Sequence, residues 1–409
     1  MKKAAVLIIT ILFGVVIQDG FAQNKPDYLS IEAQIQETYA QRNWWKVLKI
    51  SQLSINNQID YLALRQRAGI ASFFRGDFGQ SIVHLNVARQ FNHRDSVAQA
   101  YLYYNLLYDG RPAEAVARAD AFPTVLQQRL GFRARQFITS LNLESGIKVS
   151  SVPDQVGNAT YLTVGLEHRL SPFMHLYQSL SRLSQGYGTD IHLIQLQYFI
   201  RTDLRLSPGW LVSPAFHRFS VTGTGTTMTG FQQRGTVFHL NLTRSGNEWK
   251  VFPLLTYSQI SNGGNPSPDQ GPPPGGGIPN KESQWQIGLG GEYAIHRVRF
   301  QGSYELQNKS LTSTWDPLWS LNAVFTSSPK FSIKTGYGYF QTTNFLESTT
   351  AIYNNVPDPT RDKTTLLFNF GVGKRTSFYL LGQYERKGSN ILNQNYHYLT
   401  VTGGFTIPF

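Results

Sequence analysis

The side chains able to do chemistry are few and scattered along 409 residues. His168, His175, His192, His296 and His397 lack the close pairing that brings two imidazoles onto one metal ion. There is no cysteine to supply a thiolate or a disulfide. One serine invites a nucleophilic reading: Ser261 heads Ser261-Asn262-Gly263, with Gln259 two residues before it. An amide takes no proton at neutral pH, so a base for Ser261 would have to come from another strand, as His239 or His217. The bland reading is a Ser-Asn-Gly loop start. Gly288, Gly290 and Gly291 look like a nucleotide loop, but no helix pattern follows them, and they read as room for a neighbouring aromatic. No catalytic residue, cofactor or metal is assigned, and the chain is not read as an enzyme.

The charged residues matter through the direction they face. In Arg297–Gln307, Val298, Phe300, Tyr304 and Leu306 point one way, while Arg299, Gln301, Ser303, Glu305 and Gln307 point the other. A soluble core would not accept the second face; a water-filled lumen would. The same parity turns Lys334 away from Phe331, Ile333, Tyr337 and Tyr339. Arg299, Glu305, Lys334, Glu292 and Gln286 are therefore the candidate lumen-facing residues. A register slip of one residue would turn them all outward.

The elements that carry them are amphipathic strands. In the last thirteen residues, Leu399, Val401, Phe405, Ile407 and Phe409 share one face, and Tyr398, Thr400, Thr402 and Thr406 the other. About fourteen such segments follow one another from 146–152 to 395–409, each near the length a tilted membrane strand needs. Tight turns at Ser171-Pro172, Ser207-Pro208-Gly209, Gly246-Asn247, His296, Ser328-Pro329 and Arg375-Thr376 alternate with longer links at 222–231, 261–282 and 343–363. Short periplasmic turns and long outer loops are the outer-membrane arrangement, and an even strand count puts both barrel ends in the periplasm. Trp210 and Trp249 fall at the inner rim; Trp285, Trp315 and Trp319 fall toward the outer one.

Composition agrees. Charged residues are 15 % of the chain and aromatics 13 %. After the first twenty residues no apolar run reaches the roughly 18 residues of a membrane helix. Lys2 and Lys3, an apolar run from Ala4 to about Ile17 and Gly20-Phe21-Ala22 read as a signal peptide over residues 1–22. The formal charge of +12 falls to about +11 once it is removed. That charge is spread over helices, strand ends and turns, so nucleic acid is not an expected partner.

Residues 26–143 read as helical. Arg75-Gly76-Asp77-Phe78 aligns with Asp109-Gly110-Arg111-Pro112 and with Arg42-Asn43-Trp44-Trp45, at spacings of 34 and 33 residues. The middle copy carries Gly69, Phe73, Gly76, Phe78, Ser81, Leu85 and Ala88; the third carries Leu106, Gly110, Ala115 and Ala119; the first keeps Trp45. Small residues let paired helices approach, and the aromatic fills the space between neighbours. A last helix is expected after Pro123, through Arg129, Arg133 and Arg135 to about Leu143.

This stretch resembles tetratricopeptide domains, which implies a groove for a peptide or partner helix; the other reading is a spacer with Trp44 and Trp45 in its core. Ser261-Asn262-Gly263 is similar to the His-x-Ser-Asn-Gly element of outer-membrane phospholipases and lipid A deacylases, with Gln259 in the place of their histidine. The whole chain resembles outer-membrane proteins that join periplasmic tetratricopeptide repeats to a C-terminal barrel, including porins of exopolysaccharide secretion, though with far fewer repeats. The fold expected is a helical solenoid at 26–143 followed by an antiparallel transmembrane barrel of about 14 strands at 144–409. The function implied is a pore or an export component in the outer membrane, its repeats in the periplasm recruiting a protein partner or guiding a secreted polymer or small solute. The alternatives are a non-conducting scaffold or surface-display protein and, behind both, an outer-membrane lipid hydrolase.

Overall fold

The computed structural model describes residues 28–132, 136–188, 191–225, 232–263, 281–309, 314–342, 360–372, 376–389 and 394–409. The signal segment 1–22, Arg133, Arg135 and most of the Gly/Pro-rich link before Lys281 lie outside them.

Seven helices come first among the described residues: α1 Tyr28–Ala40, α2 Trp44–Asn56, α3 Leu62–Phe74, α4 Phe78–Phe91, α5 Ser96–Tyr108, α6 Pro112–Asp120 and α7 Thr124–Leu130. The first six form three hairpins. Their first helices begin at Tyr28, Leu62 and Ser96 and their second at Trp44, Phe78 and Pro112, a constant step of 34 residues. Local chemistry sets the helix starts. Asn43 and Asp77 accept from the backbone N–H three residues on, Asp95 accepts from Val97 and Ala98, and Pro112 takes the first turn of α6. Gly76 and Gly110, at φ 76° and 70°, make the turns inside the second and third hairpins.

The helical core is Ile82, Leu85, Ala88, Ala98, Leu102, Leu106 and Ala115. Gly69 lets α3 and α4 close on each other: a Cβ there would come within 2.6 Å of the Leu85 side chain, and the Ser81 hydroxyl donates to the Gly69 carbonyl at 2.6 Å.

The chain then forms one closed antiparallel barrel of fourteen strands. They are β1 Ile138–Ser150, β2 Val156–Ser171, β3 Met174–Tyr187, β4 Ile191–Ser207, β5 Trp210–Thr224, β6 Gln232–Ser245, β7 Trp249–Gly263, β8 Lys281–Ile295, β9 Val298–Lys309, β10 Trp315–Ser328, β11 Phe331–Thr342, β12 Thr360–Val372, β13 Thr376–Ser389 and β14 Gln394–Pro408. Each pairs with its sequence neighbours, and β14 closes on β1 over Ser140–Ser150. Closure removes the exposed edges that an open sheet would present.

Two expectations are corrected at the junction. The helix expected to run to about Leu143 stops at Leu130, where Gly131 takes the left-handed conformation, at φ 62°. The first strand begins at Ile138 rather than 146, because Leu141 and Leu143 alternate with Asn142 and Glu144 and pair with β14. The link expected at 261–282 is also shorter, since Ser261 and Lys281 are paired in β7 and β8.

Candidate functional site in the barrel interior

Strand pairing divides the barrel residues into two faces. The outward face carries exposed apolar side chains such as Leu162, Leu180, Ile287, Leu289, Phe300, Tyr304, Leu399 and Val401. The inward face carries Gln195, Gln197, Thr256, Gln284, Gln307, Glu385, Lys387, Thr400 and Thr402 together with an apolar cluster of Phe219, Val221, Val237 and Ile260, all buried within the cylinder. An eight-stranded barrel is filled by its own side chains, whereas fourteen strands enclose a wider interior.

Several inward rings lie flat against the wall because the facing residue is glycine. Tyr161 covers Gly146, Phe219 covers Gly235, Phe252 covers Gly290 and Tyr379 covers Gly404, each a directly paired couple. A Cβ at Gly235 would meet the Phe219 ring at 2.1 Å, so any larger residue would push that ring toward the axis.

The pairing places Gln286, Glu292, Arg299, Glu305 and Lys334 on the inward face. Gln286 donates to Glu305. Glu292 accepts from Gln301 at 2.7 Å and lies 3.0 Å from both Lys250 and Arg299. Lys334 sits opposite Val324 and Leu367, with no carboxylate at ion-pair distance among the described residues.

The Lys250–Glu292–Arg299 group lies at the end of the barrel with the short turns, and there it meets the helical domain. Arg299 donates to the Asp109 carboxylate, and the Lys250 ammonium donates to the Asp109 carbonyl at 2.7 Å. Arg111 reaches the Gly246 carbonyl at 3.1 Å and is held by Glu114 through two further bonds at 2.7 and 2.8 Å. Gln80 donates to Glu248 at 2.7 Å. Around the rim, the Arg169 guanidinium on β2 lies 4.6 Å from the ring of Phe132, just beyond α7. A Cβ on Gly76 would come within 2.7 Å of the Thr326 carbonyl on β10, so that turn rests directly on the strand.

The helices thus dock on the mouth along an arc from β2 to β10. Asp109 is 5 % exposed, and burial pushes its carboxyl above the usual range against the pull of Lys250, Arg299 and Arg111.

A second charged group lies at the other end of the interior. Glu385 takes Lys148 at 3.1 Å and Lys387 at 2.9 Å, Lys387 donates to Thr360 at 2.7 Å, and Gln185 donates to the Tyr398 hydroxyl at 2.6 Å. Sequence reading passed over these residues, although the alternation Tyr379, Leu381, Gln383, Glu385, Lys387 carried the signal. Nothing in the sequence marks Asp109 as a contact for a strand 190 residues away.

In the helical domain, Ala88 and Ala115 are fully buried, and Phe78 stacks on Tyr108 with centroids 5.7 Å apart. Gly110 faces the Lys250 ammonium at the dock. Trp45 corrects an expectation: it is 59 % exposed, with Lys49 over its ring, and belongs to no core. The buried face of α2 is set by Val47, Ser51 and Ser54, and a residue two before Val47 lies on the far side of a helix. Trp44, its neighbour, stacks on Phe74 at 4.9 Å.

Ser261 faces outward, its hydroxyl donating to the Arg234 carbonyl at 3.4 Å. His239 and His217 face inward, His239 against Thr256 at 2.7 Å. Neither histidine can deprotonate a serine on the opposite face of the sheet. The side chain of Asn262 lies outside the described residues.

No protein-family model matches the chain, and no curated protein does. Among solved structures, the CymD monoaromatic hydrocarbon channel matches at TM-score 0.44 and 11% identity, covering 71% of this chain and 92% of that one. The Pseudomonas putida toluene transporter TodX matches at 0.42 and 10%, covering 68% and 90%. CdiB from Acinetobacter baumannii matches at 0.42 and 13%, with this chain spanning only 61% of its length. At these values the likeness carries no functional argument, and the fold rests on the chain's own strand pairing.

Proposed function

We propose that this chain is an outer-membrane barrel of a Gram-negative bacterium acting as a pore or export component, with its helical domain in the periplasm. One observation carries the reading: a closed fourteen-strand cylinder, apolar outside and lined inside by Gln, Thr, Glu, Arg and Lys beside an apolar patch of Phe219, Val221, Val237 and Ile260, has the chain's own helices docked at its turn-side mouth. Such a wall suits hydrocarbon on one face and water on the other. Residues 1–22 serve as the export signal. Arg299, Glu305, Lys334, Glu292 and Gln286 belong to the path a solute or polymer follows. The constant 34-residue step of the hairpins supports a tetratricopeptide-like stack, which recruits a partner protein or guides the substrate.

The test is conductance of the whole purified protein in planar bilayers. Discrete openings that become more frequent in Asp109→Ala support a pore closed by its helical cover. The cover itself favours the second reading, a non-conducting scaffold; silence in both proteins, with a partner co-purifying through the helices, would establish that instead.

A further inference from the structure

The outward face of β3–β8 changes character near the end away from the helices. On β3, β4 and β5, running toward that end, the apolar belt finishes at Leu180, Ile194 and Phe216; on β6, β7 and β8 it finishes at Phe238, Tyr257 and Trp285. The last four close the belt as ring pairs, Phe216–Phe238 with centroids 5.1 Å apart and Tyr257–Trp285 4.7 Å apart. Aromatic girdles mark the level where acyl chains give way to head groups.

Immediately beyond the belt on β3 and β5–β8 stand basic and hydroxyl side chains, while on β4 the apolar face continues through Leu196 to Ile194. Arg182 follows Leu180, Arg218 follows Phe216, Arg234 lies beyond Phe238 and Lys281 beyond Trp285. All four are exposed. One ladder of paired residues links them: Arg182 to Leu196, Leu196 to Ser220, Ser220 to Arg234, Arg234 to Ser261 and Ser261 to Lys281. Arg218 sits one outward position from Ser220. Strands about 4.8 Å apart put Arg218 and Arg234 within roughly 8 Å of each other.

Among the described residues none of the four cations has a carboxylate partner, and the outward face of β3–β8 carries no Asp or Glu. On another sector the outward cation Arg386 is committed to Asp362. Unpaired arginines at a lipid boundary are costly unless an anion meets them there.

We propose that the outward arc formed by Arg182, Arg218, Arg234 and Lys281 binds the phosphate groups of the acylated, phosphorylated glycolipid of the outer leaflet. Guanidinium forks take phosphate through two parallel hydrogen bonds, Ser220 adds a hydroxyl donor, and the apolar belt below receives the acyl chains. Phosphates held on one arc would seat that side of the barrel against an ordered patch of lipid. The inference rests on the membrane reading above.

The experiment titrates the purified full-length protein, in dodecylmaltoside micelles, with diphosphoryl lipid A, its dephosphorylated form and inorganic phosphate, reading bound lipid by native mass spectrometry. The comparison protein is the triple variant Arg182→Gln, Arg218→Gln, Arg234→Gln, with the corresponding lysine triple as rescue. Retention of the heat-modifiable band on gels shows that each is folded. The diphosphoryl lipid binds the wild type; affinity falls about fivefold per arginine removed, on the order of a hundredfold in the glutamine triple, and largely returns in the lysine triple. Equal binding by wild type and glutamine triple overturns the proposal, as does equal binding of the dephosphorylated lipid or competition by inorganic phosphate at the same concentration. A chain that stays soluble and folded without detergent overturns the membrane reading itself, a different result from a detergent-requiring barrel indifferent to these charges.

Discussion

Asp109, in the turn between α5 and α6, accepts a hydrogen bond from Arg299 on the inner wall of β9, 190 residues further along the chain. The carboxylate and both side chains of the Lys250–Glu292 pair meet there out of solvent. Breaking a buried ion pair from one side strands the other charge, which makes this contact costly to lose by halves.

Asp109→Ala and Arg299→Ala should each weaken docking by about 3 kcal/mol. The double variant should lose much less than the sum, because the two act as one unit. Hydrogen exchange of the amides around 105–114 in the detergent-solubilised protein measures it, each single variant exchanging on the order of a hundredfold faster. Additive effects would mean that the two residues act independently.

Acid should not release the cover. Burial raises the Asp109 carboxyl when docked, so docking is strengthened at low pH and weakens as pH rises through that raised value, levelling off above it. Exchange protection of 105–114 should therefore be at least as great at pH 5 as at pH 8. Lower protection at pH 5, after correction for the intrinsic rate, would show that the cations, not burial, dominate at this site.

Elsewhere in the helices, His84 gives the opposite sign. It is buried, Arg65 donates toward its Nδ1 at 3.1 Å, and burial together with that guanidinium holds its pKa at about 4, down from 6.5. The folded state therefore resists protonation. Stability present at neutral pH is lost as pH falls from about 6.5 to 4, by about 3 kcal/mol. His84→Gln should flatten that slope in thermal melts of the helical signal; an unchanged slope would place its origin elsewhere.

Two glycines with the same backbone geometry should behave differently. Gly76→Ala adds a Cβ 2.7 Å from the Thr326 carbonyl, whereas at Gly110 the nearest atom is the mobile Lys250 ammonium at 3.8 Å. Both pay about 1 kcal/mol for a left-handed alanine. Only Gly76→Ala should in addition lift the cover from β10 and deprotect the docked turns, as exchange would record.

At the far end of the lumen, Glu385→Ala leaves Lys148 and Lys387 without their shared carboxylate. A cost of about 3 kcal/mol is expected, read as a lower urea midpoint for loss of the heat-modifiable band. Glu385→Gln should cost less, since Thr360 still has a partner there.

Much of the barrel was legible because a period-two pattern fixes both the strand and the face each residue takes. The same parity that names Phe300 and Tyr304 as outward names Arg299 and Glu305 as inward. The hairpin step was legible because Gly76 and Gly110 recur with the helices around them. What stayed hidden depends on docking rather than periodicity. Asp109 is an ordinary turn residue until the barrel mouth closes over it. Residues 138–143 read as helix because their alternation is too short to outweigh the segment before them. Trp45 looked structural by type alone, and the rotation of α2 turns it to solvent.

The central claim is that one face of this sheet touches hydrocarbon and the other water. The chain has no native cysteine, so single cysteines placed along β9 from 300 to 307 can each carry a nitroxide label in reconstituted vesicles. The account predicts alternation: labels at 300, 302, 304 and 306 relaxed by oxygen dissolved in lipid, those at 301, 303, 305 and 307 by a water-soluble nickel chelate. Uniform accessibility along the strand, or the reverse phase with Glu305 on the lipid side, would contradict it.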